Sequence, residues 1–372
     1  MRALLLVLVV AVAQTEVRSA PQDDCWHFLR GIHSRNPFFW DFKYFNFHDE
    51  NISGNISYFT VAPHWSRRFF IKASFFNSEK VWNFHESFSM ESVAASRHSP
   101  ILDVDKRGGI HLQAEERLRI FHHSPALNWE FLFESESLPF DRTLSLDLNS
   151  LTKGGWDRKL FPWQMNWRPS FPSARAKGSF QFSNGRKFTV NTPRAYHDEN
   201  WGVWFPPKQP FRWMHFSGVD SSGERIVLLL GEFPKNPEGF RGGMSLLDLQ
   251  GEFAFFPNAS YEWKVLQKGH TRISRRGFKV GYEFTQGERA TTLSAGDHSI
   301  PIQFELSSPE TFSLLAASYF AEASGPKIPH LVRSLISDFS IDEQVIFLRL
   351  RYKSRTGELR TAEGFGEFMF TQ

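Results

Sequence analysis

Cysteine is nearly absent: Cys25 is the only one among 372 residues, so no disulfide can form within the chain. Stability has to come from burying a core. Charge of one sign is also missing, with 43 Lys and Arg against 40 Asp and Glu. The counterion release that drives nucleic-acid binding needs many clustered cations, and the basic clusters here, Arg67-Arg68 and Arg272 to Lys279, are short and interleaved with apolar residues. No nucleic-acid partner is expected. Long stretches rich in Ala, Glu, Lys and Leu are lacking, which argues against an all-α fold. There is no G-x-S-x-G elbow, and the glycines around Gly242 lack the Lys-Ser/Thr ending of a phosphate loop. An α/β hydrolase and a nucleotide-binding enzyme are thereby disfavoured. No convincing short-period repeat is visible.

The one long apolar run lies at the start. Arg2 precedes Ala3–Ala13, whose 11 residues are too few to span a bilayer. The pattern is that of a secretory signal over residues 1–19, with small-residue cleavage points after Ala13 or Ser19. The mature chain is then expected in the secretory route with no integral span. Asn51, Asn55 and Asn258 each open an Asn-x-Ser acceptor for glycosylation. Cys25, near the mature start, reads as a passive thiol.

What the chain has in excess is aromatic side chains, with 40 Phe and 12 Trp. Such residues fit pleated, half-buried surfaces. Period-two alternation supports this reading at Leu144–Leu148, Phe278–Phe284, Ile302–Leu306 and Ile346–Tyr352. One apolar and one polar face per strand is the habit of antiparallel sandwiches and barrels. The stretch Gly178–Val190 predicts a hairpin. A two-residue turn at Asn184-Gly185 would scatter its apolar residues over both faces. A three-residue loop, Ser183–Gly185, pairs Phe180 with Phe188 and puts Gly185 at a left-handed position. Helical signals are few: Ser308–Gly325, with Pro309 in its first turn, and a short one at His330–Ile336. Three prolines between Trp204 and Trp213 read as a connector over residues 206–212. It separates residues 26–205 from 213–372, and each part can supply about eight short strands, enough for a nearly closed barrel.

The chemistry concentrates just before that connector, in Arg194–Gly202: Arg-Ala-Tyr-His-Asp-Glu-Asn-Trp-Gly. In extended backbone Tyr196 and Asp198 share one face, and His197 and Glu199 the other. Trp201 adds a large apolar plate with one N–H donor. Acid, imidazole and indole together can pass a proton to a greasy substrate. The stretch resembles the signature shared by tocopherol cyclases, carotenoid 1,2-hydratases and fungal lipocalin-like Diels–Alderases. Asn36–Phe47 is similar to the aromatic first strand of that family, and Ala362–Phe370 to its last.

The resemblance implies an all-β fold of two consecutive lipocalin-like antiparallel β-barrels with a few short helices. It also implies a pocket within or between them, and a terpenoid, polyene or similar lipid-like substrate that is cyclised, hydrated or isomerised without a cofactor. His197, Asp198 and Glu199 are then the candidate acids, with Tyr196, Asn200, Trp201 and Trp213 shaping the substrate site. Members of differing chemistry share the motif, so it does not select the reaction. Two alternatives stand beside this. The motif can be structural, its Asp holding backbone donors and its Trp-Gly plugging a barrel end. The protein can also be a non-catalytic carrier of a hydrophobic ligand. His122, His123 and His111 do not make a metal site, because adjacent strand residues point to opposite faces. His48-Asp49-Glu50 reads as an exposed loop.

Overall fold

The alternating segments form strands almost throughout. A computed structural model of the chain describes residues 25–29, 35–36, 39–77, 81–114, 116–137, 140, 144–147, 164–203, 212–233, 241–257, 260–265, 273–275, 278–280, 289–295, 298–316 and 341–371. The fold is all-β, a nearly closed barrel followed by a half-barrel sheet.

The first sheet has twelve strands: β1 (Phe39–His48), β2 (Ser53–Val61), β3 (Arg68–Phe76), β4 (Val81–Ser89), β5 (Val93–Ala95), β6 (Leu102–Val104), β7 (Gly108–Ala114), β8 (Arg117–His123), β9 (Leu127–Ser135), β10 (Leu144–Asp147), β11 (Gln164–Phe182) and β12 (Lys187–Val203). Their order is β4-β3-β2-β1-β12-β11-β9-β8-β7-β6-β5, with β10 on the flank of β11. The two edges, β4 and β5, are consecutive in the chain and joined by the single turn Met90–Ser92, so the sheet curls nearly shut. Closure of this kind removes most of the exposed edge that would otherwise template aggregation.

The second sheet has nine strands: β13 (Arg212–Asp220), β14 (Arg225–Phe233), β15 (Arg241–Asp248), β16 (Gly251–Pro257), β17 (Ser260–Val265), β20 (Arg289–Ala295), β21 (His298–Ala316), β22 (Ile341–Lys353) and β23 (Leu359–Thr371). Between them β18 (Ile273–Arg275) and β19 (Phe278–Val280) pair with each other in a separate two-stranded sheet. The order β16-β15-β14-β13-β23-β22-β21-β20-β17 follows the plan of the first sheet: a four-strand meander whose first strand is paired with the last. β12 and β23 thus hold the same topological position.

The interior of the first barrel is built from rings. Phe45 meets Phe133 at 5.1 Å between centroids, Phe47 meets Phe131 at 5.0 Å, and Phe75 stacks on Phe180 at 3.9 Å. All six are fully buried or within 1% of it. Burying each such side chain is worth roughly 1.5–3 kcal/mol, which replaces what disulfides supply elsewhere. Close approach of backbones is needed as well. A Cβ on Gly178 would lie 2.1 Å from the Glu130 carbonyl oxygen, so β11 packs on β9 only with glycine there.

The hairpin has the three-residue loop. Phe180 pairs with Phe188, the Phe182 amide donates to the Arg186 carbonyl at 2.9 Å, and Gly185 has φ 84°. The expected helix from Ser308 is corrected: Ser308–Ala316 continues β21, with Phe312 facing Val345 of β22. The Ser-Pro-Glu-Thr segment sits in a register shift between Ser307 and Phe312, which is how a strand tolerates its proline. Residues 317–325, the second helical segment His330–Ile336, the 206–211 part of the connector, the signal and Asn258 lie outside the described residues. Among the described residues no helix is long and apolar enough to cross a membrane.

Candidate functional site

β12 carries the motif and lies between β1 and β11, so its polar residues are held by neighbours on both sides. Tyr44 faces Asp198, Phe45 faces His197, and Lys43 faces Glu199. Phe45 belongs to the ring-filled barrel interior, so His197 and Glu199 point inward. Tyr196 and Asp198 point outward, against the second sheet. The alternation divides the motif into two layers with different surroundings.

In the inner layer His197 is sandwiched. It stacks on Phe45 at 4.0 Å, meets Phe171 edge-on at 5.6 Å, and its Nδ1–H donates to the Tyr44 carbonyl at 2.9 Å. Glu199 is fully buried and contacts the Lys43 ammonium, the Arg168 Nη1 at 3.5 Å and the His27 Nε2 at 3.6 Å. The Lys43 ammonium also donates to the Cys25 carbonyl at 2.9 Å, and the Phe28 amide donates to Asp41 at 2.8 Å. Burial raises the Asp41 pKa, against the pull of His27 and Lys43. Trp201 stacks on His27 at 3.9 Å. These contacts lash Cys25–Leu29 across one end of the barrel. Cys25 is a buried thiol there, its Sγ 3.8 Å from the His27 Nε2.

The outer layer lies between the two sheets. Three donors converge on Asp198: the Tyr196 hydroxyl at 2.7 Å, the Trp167 Nε1–H at 2.8 Å and the Asn200 amide at 2.7 Å. Tyr196 stacks on His215 of β13 at 4.0 Å, and Trp213 closes over Tyr196, Trp167 and Tyr44 at 5.6–6.0 Å. His215 is paired in register with Glu367 of β23. Glu367 in turn accepts from the Tyr44 hydroxyl at 2.7 Å and from the Asn46 amide, with the His48 Nε2 3.5 Å away. The His215 Nε2–H donates to the Pro172 carbonyl at 3.1 Å. That carbonyl is available because β11 breaks register around Arg168–Ala174, the bulges that its prolines require. Arg225 of β14 completes the junction, donating to the Pro193 carbonyl at 3.0 Å and contacting Glu136.

The electrostatics follow from burial. Desolvation lifts the Asp198 carboxyl to about 7, although its three hydrogen-bond donors pull the other way. The Tyr196 phenol is pushed well above its ordinary range by burial and by the neighbouring Asp198. Burial lowers His215 to about 3 and, with the Arg194 charge, His48 to about 3. Both imidazoles are neutral in this layer. A carboxyl titrating near neutrality between aromatic walls, with neutral imidazoles beside it, can hold a proton ready for an apolar ligand.

Of the residues singled out by the sequence, Tyr196, Asp198, Asn200 and Trp213 come together in the outer layer. His197, Glu199 and Trp201 lie on the barrel side. The structure adds Tyr44, Asn46, His48, Trp167, His215 and Glu367. His48 is a correction: it is 4% exposed and belongs to the junction, where an exposed loop was expected. The usable signal for it was the alternation of β1, which puts Tyr44, Asn46 and His48 on one face. Glu367 lies within Ala362–Phe370, the stretch similar to the family's last strand. Nothing in the sequence links it to Asp198. Asn51 is exposed, but Asn55 is 4% exposed within β2, where a glycan has no room in the folded chain. His122 is buried against Glu86 at 3.0 Å while His123 is exposed, so they do face apart. Among the described residues no group of three His, Cys, Asp or Glu side chains is placed to hold a metal ion.

Solved structures of lipocalin-like barrel proteins share this fold. An AttH-type protein from Nitrosomonas europaea superposes with a TM-score of 0.55 at 12% identity, over 92% of this chain and 94% of the other. Kievitone hydratase from Nectria haematococca gives 0.51 at 13%, over 95% and 98%. CghA solved with Sch210972 gives 0.52 at 10%, over 90% and 89%. The chain therefore has the two-part lipocalin-like architecture of these proteins. No protein-family model matches the sequence, and no curated protein matches it.

Proposed function

We propose that the protein is a cofactor-independent enzyme that hydrates, cyclises or isomerises a hydrophobic terpenoid, polyene or similar lipid-like molecule between its two sheets. The observation that carries this reading is the Asp198 carboxyl, held at about 7 in a fully buried aromatic layer. Protonating a double bond needs an acid that is still protonated near neutral pH, and general acid catalysis is most effective when the pKa lies near the working pH. Asp198 is the proton donor, with Tyr196 hydrogen-bonded to it as the adjoining link. Trp213 and Trp167 supply apolar walls that orient a flexible chain and exclude water. His197 and Glu199 serve the same reaction indirectly, by fixing β12 from the barrel side. Two similar structures support a small-molecule role, since one is a hydratase and the other holds Sch210972. The charged start and the Ala3–Ala13 run support delivery to the secretory route.

The three donors on Asp198 favour one other reading. A carboxylate so fully satisfied can be a staple, and the protein a carrier. Incubation of the full chain in deuterium oxide with a panel of prenylated phenols and polyenes separates the two. Turnover places solvent deuterium on product carbon, and a hydratase also adds solvent oxygen. Asp198→Asn abolishes uptake while the ligand still binds. Recovery of every ligand unchanged and unlabelled from the wild-type protein overturns the enzymatic reading in favour of the carrier.

A further inference from the structure

Two buried acceptors in the layer between the sheets lack a donor. The His215 Nε2–H is committed to Pro172, so Nδ1 carries a lone pair, and no hydrogen bond reaches it. The Asn46 amide nitrogen is committed to the Glu367 carboxylate, which fixes the other end as oxygen, and no donor reaches that oxygen either. The side chains are 2% and 0% exposed. Both flank one ring: Asn46 is paired in register with Tyr196, and His215 stacks on its face at 4.0 Å. Glu367 joins them from the other side, in register with His215 and bonded to Asn46. Asn46 is on the first sheet and His215 on the second, so the missing donor belongs at the junction where the substrate is placed.

Buried polar atoms are nearly always satisfied. The Trp213 Nε1–H, on a ring 5.6 Å from Tyr196, is a third buried atom with no hydrogen bond, and it is a donor. Two acceptors and one donor around one ring are complemented by a group that both donates and accepts, a hydroxyl. We propose that His215 and Asn46 are specificity-determining residues that accept hydrogen bonds from a hydroxyl on an otherwise apolar substrate. The inference rests on the substrate site described above and narrows it: a hydroxylated lipid-like molecule, a phenol or an alcohol, and not a pure hydrocarbon. A ligand lacking the hydroxyl leaves both acceptors unpaired in an apolar layer, whereas one that carries it satisfies them. Sites built in this way reject the deoxy or capped analogue far more strongly than a purely apolar pocket rejects one methylene.

The test compares 4-geranylphenol with its methyl ether, which keeps the carbon skeleton and oxygen but removes the donor. Binding to the full chain is read from quenching of tryptophan fluorescence, since Trp213 and Trp167 wall the site. The wild-type protein is expected to prefer the phenol on the order of tenfold to a hundredfold. His215→Phe keeps a ring on Tyr196 and removes the acceptor. It should erase most of that preference. His215→Gln, which restores an acceptor oxygen, should recover part of it. Equal wild-type affinities overturn this proposal and leave the intersheet binding site standing, a result that needs no variant to fold. A preference that survives intact in His215→Phe also overturns the assignment to His215. If neither compound binds, the substrate site itself is refuted, and the specificity assignment with it.

Discussion

Asp198→Asn tests the central electrostatic claim without any knowledge of the substrate. The carboxyl rises from an ordinary 3.8 to about 7 on folding, a gap worth roughly 4 kcal/mol. A carboxyl whose folded pKa is raised binds more protons folded than unfolded between those two values. Its contribution is therefore fully present below about pH 4, and it is lost as pH rises through 7. The wild-type protein should thus lose stability relative to Asp198→Asn between pH 4 and 8, by up to a few kcal/mol, and then run parallel to it. The new amide also puts an NH2 group among three donors, and that costs a fixed amount at every pH. The diagnostic is the slope of the difference and not its size at one pH. Urea melts of both proteins at five pH values, with m-values compared to confirm that each unfolds similarly, provide it. A difference that is flat, or that favours the wild-type protein as pH rises, refutes the raised pKa and removes the acid from the proposed mechanism.

Other consequences can be checked on the same footing. Lys43→Met leaves the Glu199 carboxylate buried among fewer cations and should cost about 3–5 kcal/mol, whereas the double variant with Glu199→Gln should recover part of that; strictly additive losses in urea melts would contradict the buried pair. His48 and His215, both lowered to about 3, contribute stability that is present above pH 6.5 and lost as pH falls toward 3, so replacing both with Gln should flatten the acid side of the stability profile. An unchanged acid limb would count against neutral imidazoles in the folded protein. Gly178→Ala drives a methyl into the Glu130 carbonyl and should destabilise by more than roughly 2 kcal/mol, while Gly185→Ala, at φ 84° but in open space, should cost nearer 1 kcal/mol. Thermal melts that reverse this order would overturn the packing of β11 on β9.

Alternation made the strands legible wherever one face meets a core and the other meets water. Ile346–Tyr352 lies in β22, Leu144–Asp147 is β10, and the Phe180–Phe188 pairing could be deduced because only one loop length kept the rings on one face. Helix-capping signals misread Ser308–Ala316. There a capping serine followed by proline looks like a helix start, yet pairing of Phe312–Ala316 with β22 overrides the local signal, and a register shift absorbs the proline. Topology was beyond reach for a different reason. Pairing β1 with β12, and β13 with β23, joins segments more than a hundred residues apart, and no local pattern encodes such a return.

The site shows where the reading of alternation loses its power. β1 and β12 are buried on both faces, since a barrel fills one side and a second sheet covers the other. Polar residues consequently occur on both faces: Lys43, His197 and Glu199 inward, Asn46, Tyr196 and Asp198 outward. The sequence could divide the motif into two sets but not say which set meets a ligand. What distinguishes the sets is Glu367 and His215, which arrive from the second sheet against the outer one. β23 repeats in its own sheet the position that β12 holds in the first. Each closing strand therefore brings a buried carboxylate to the opening strand beside it: Glu199 to Lys43 of β1, and Glu367 to His215 of β13. One carboxylate is spent on a cation inside the barrel and locks the fold. The other, with no buried lysine opposite, is held by Tyr44 and Asn46 across the junction. The doubled architecture thus places a buried ion pair inside the first barrel and a second buried carboxylate in the layer between the sheets, with Asp198 on a strand that borders both.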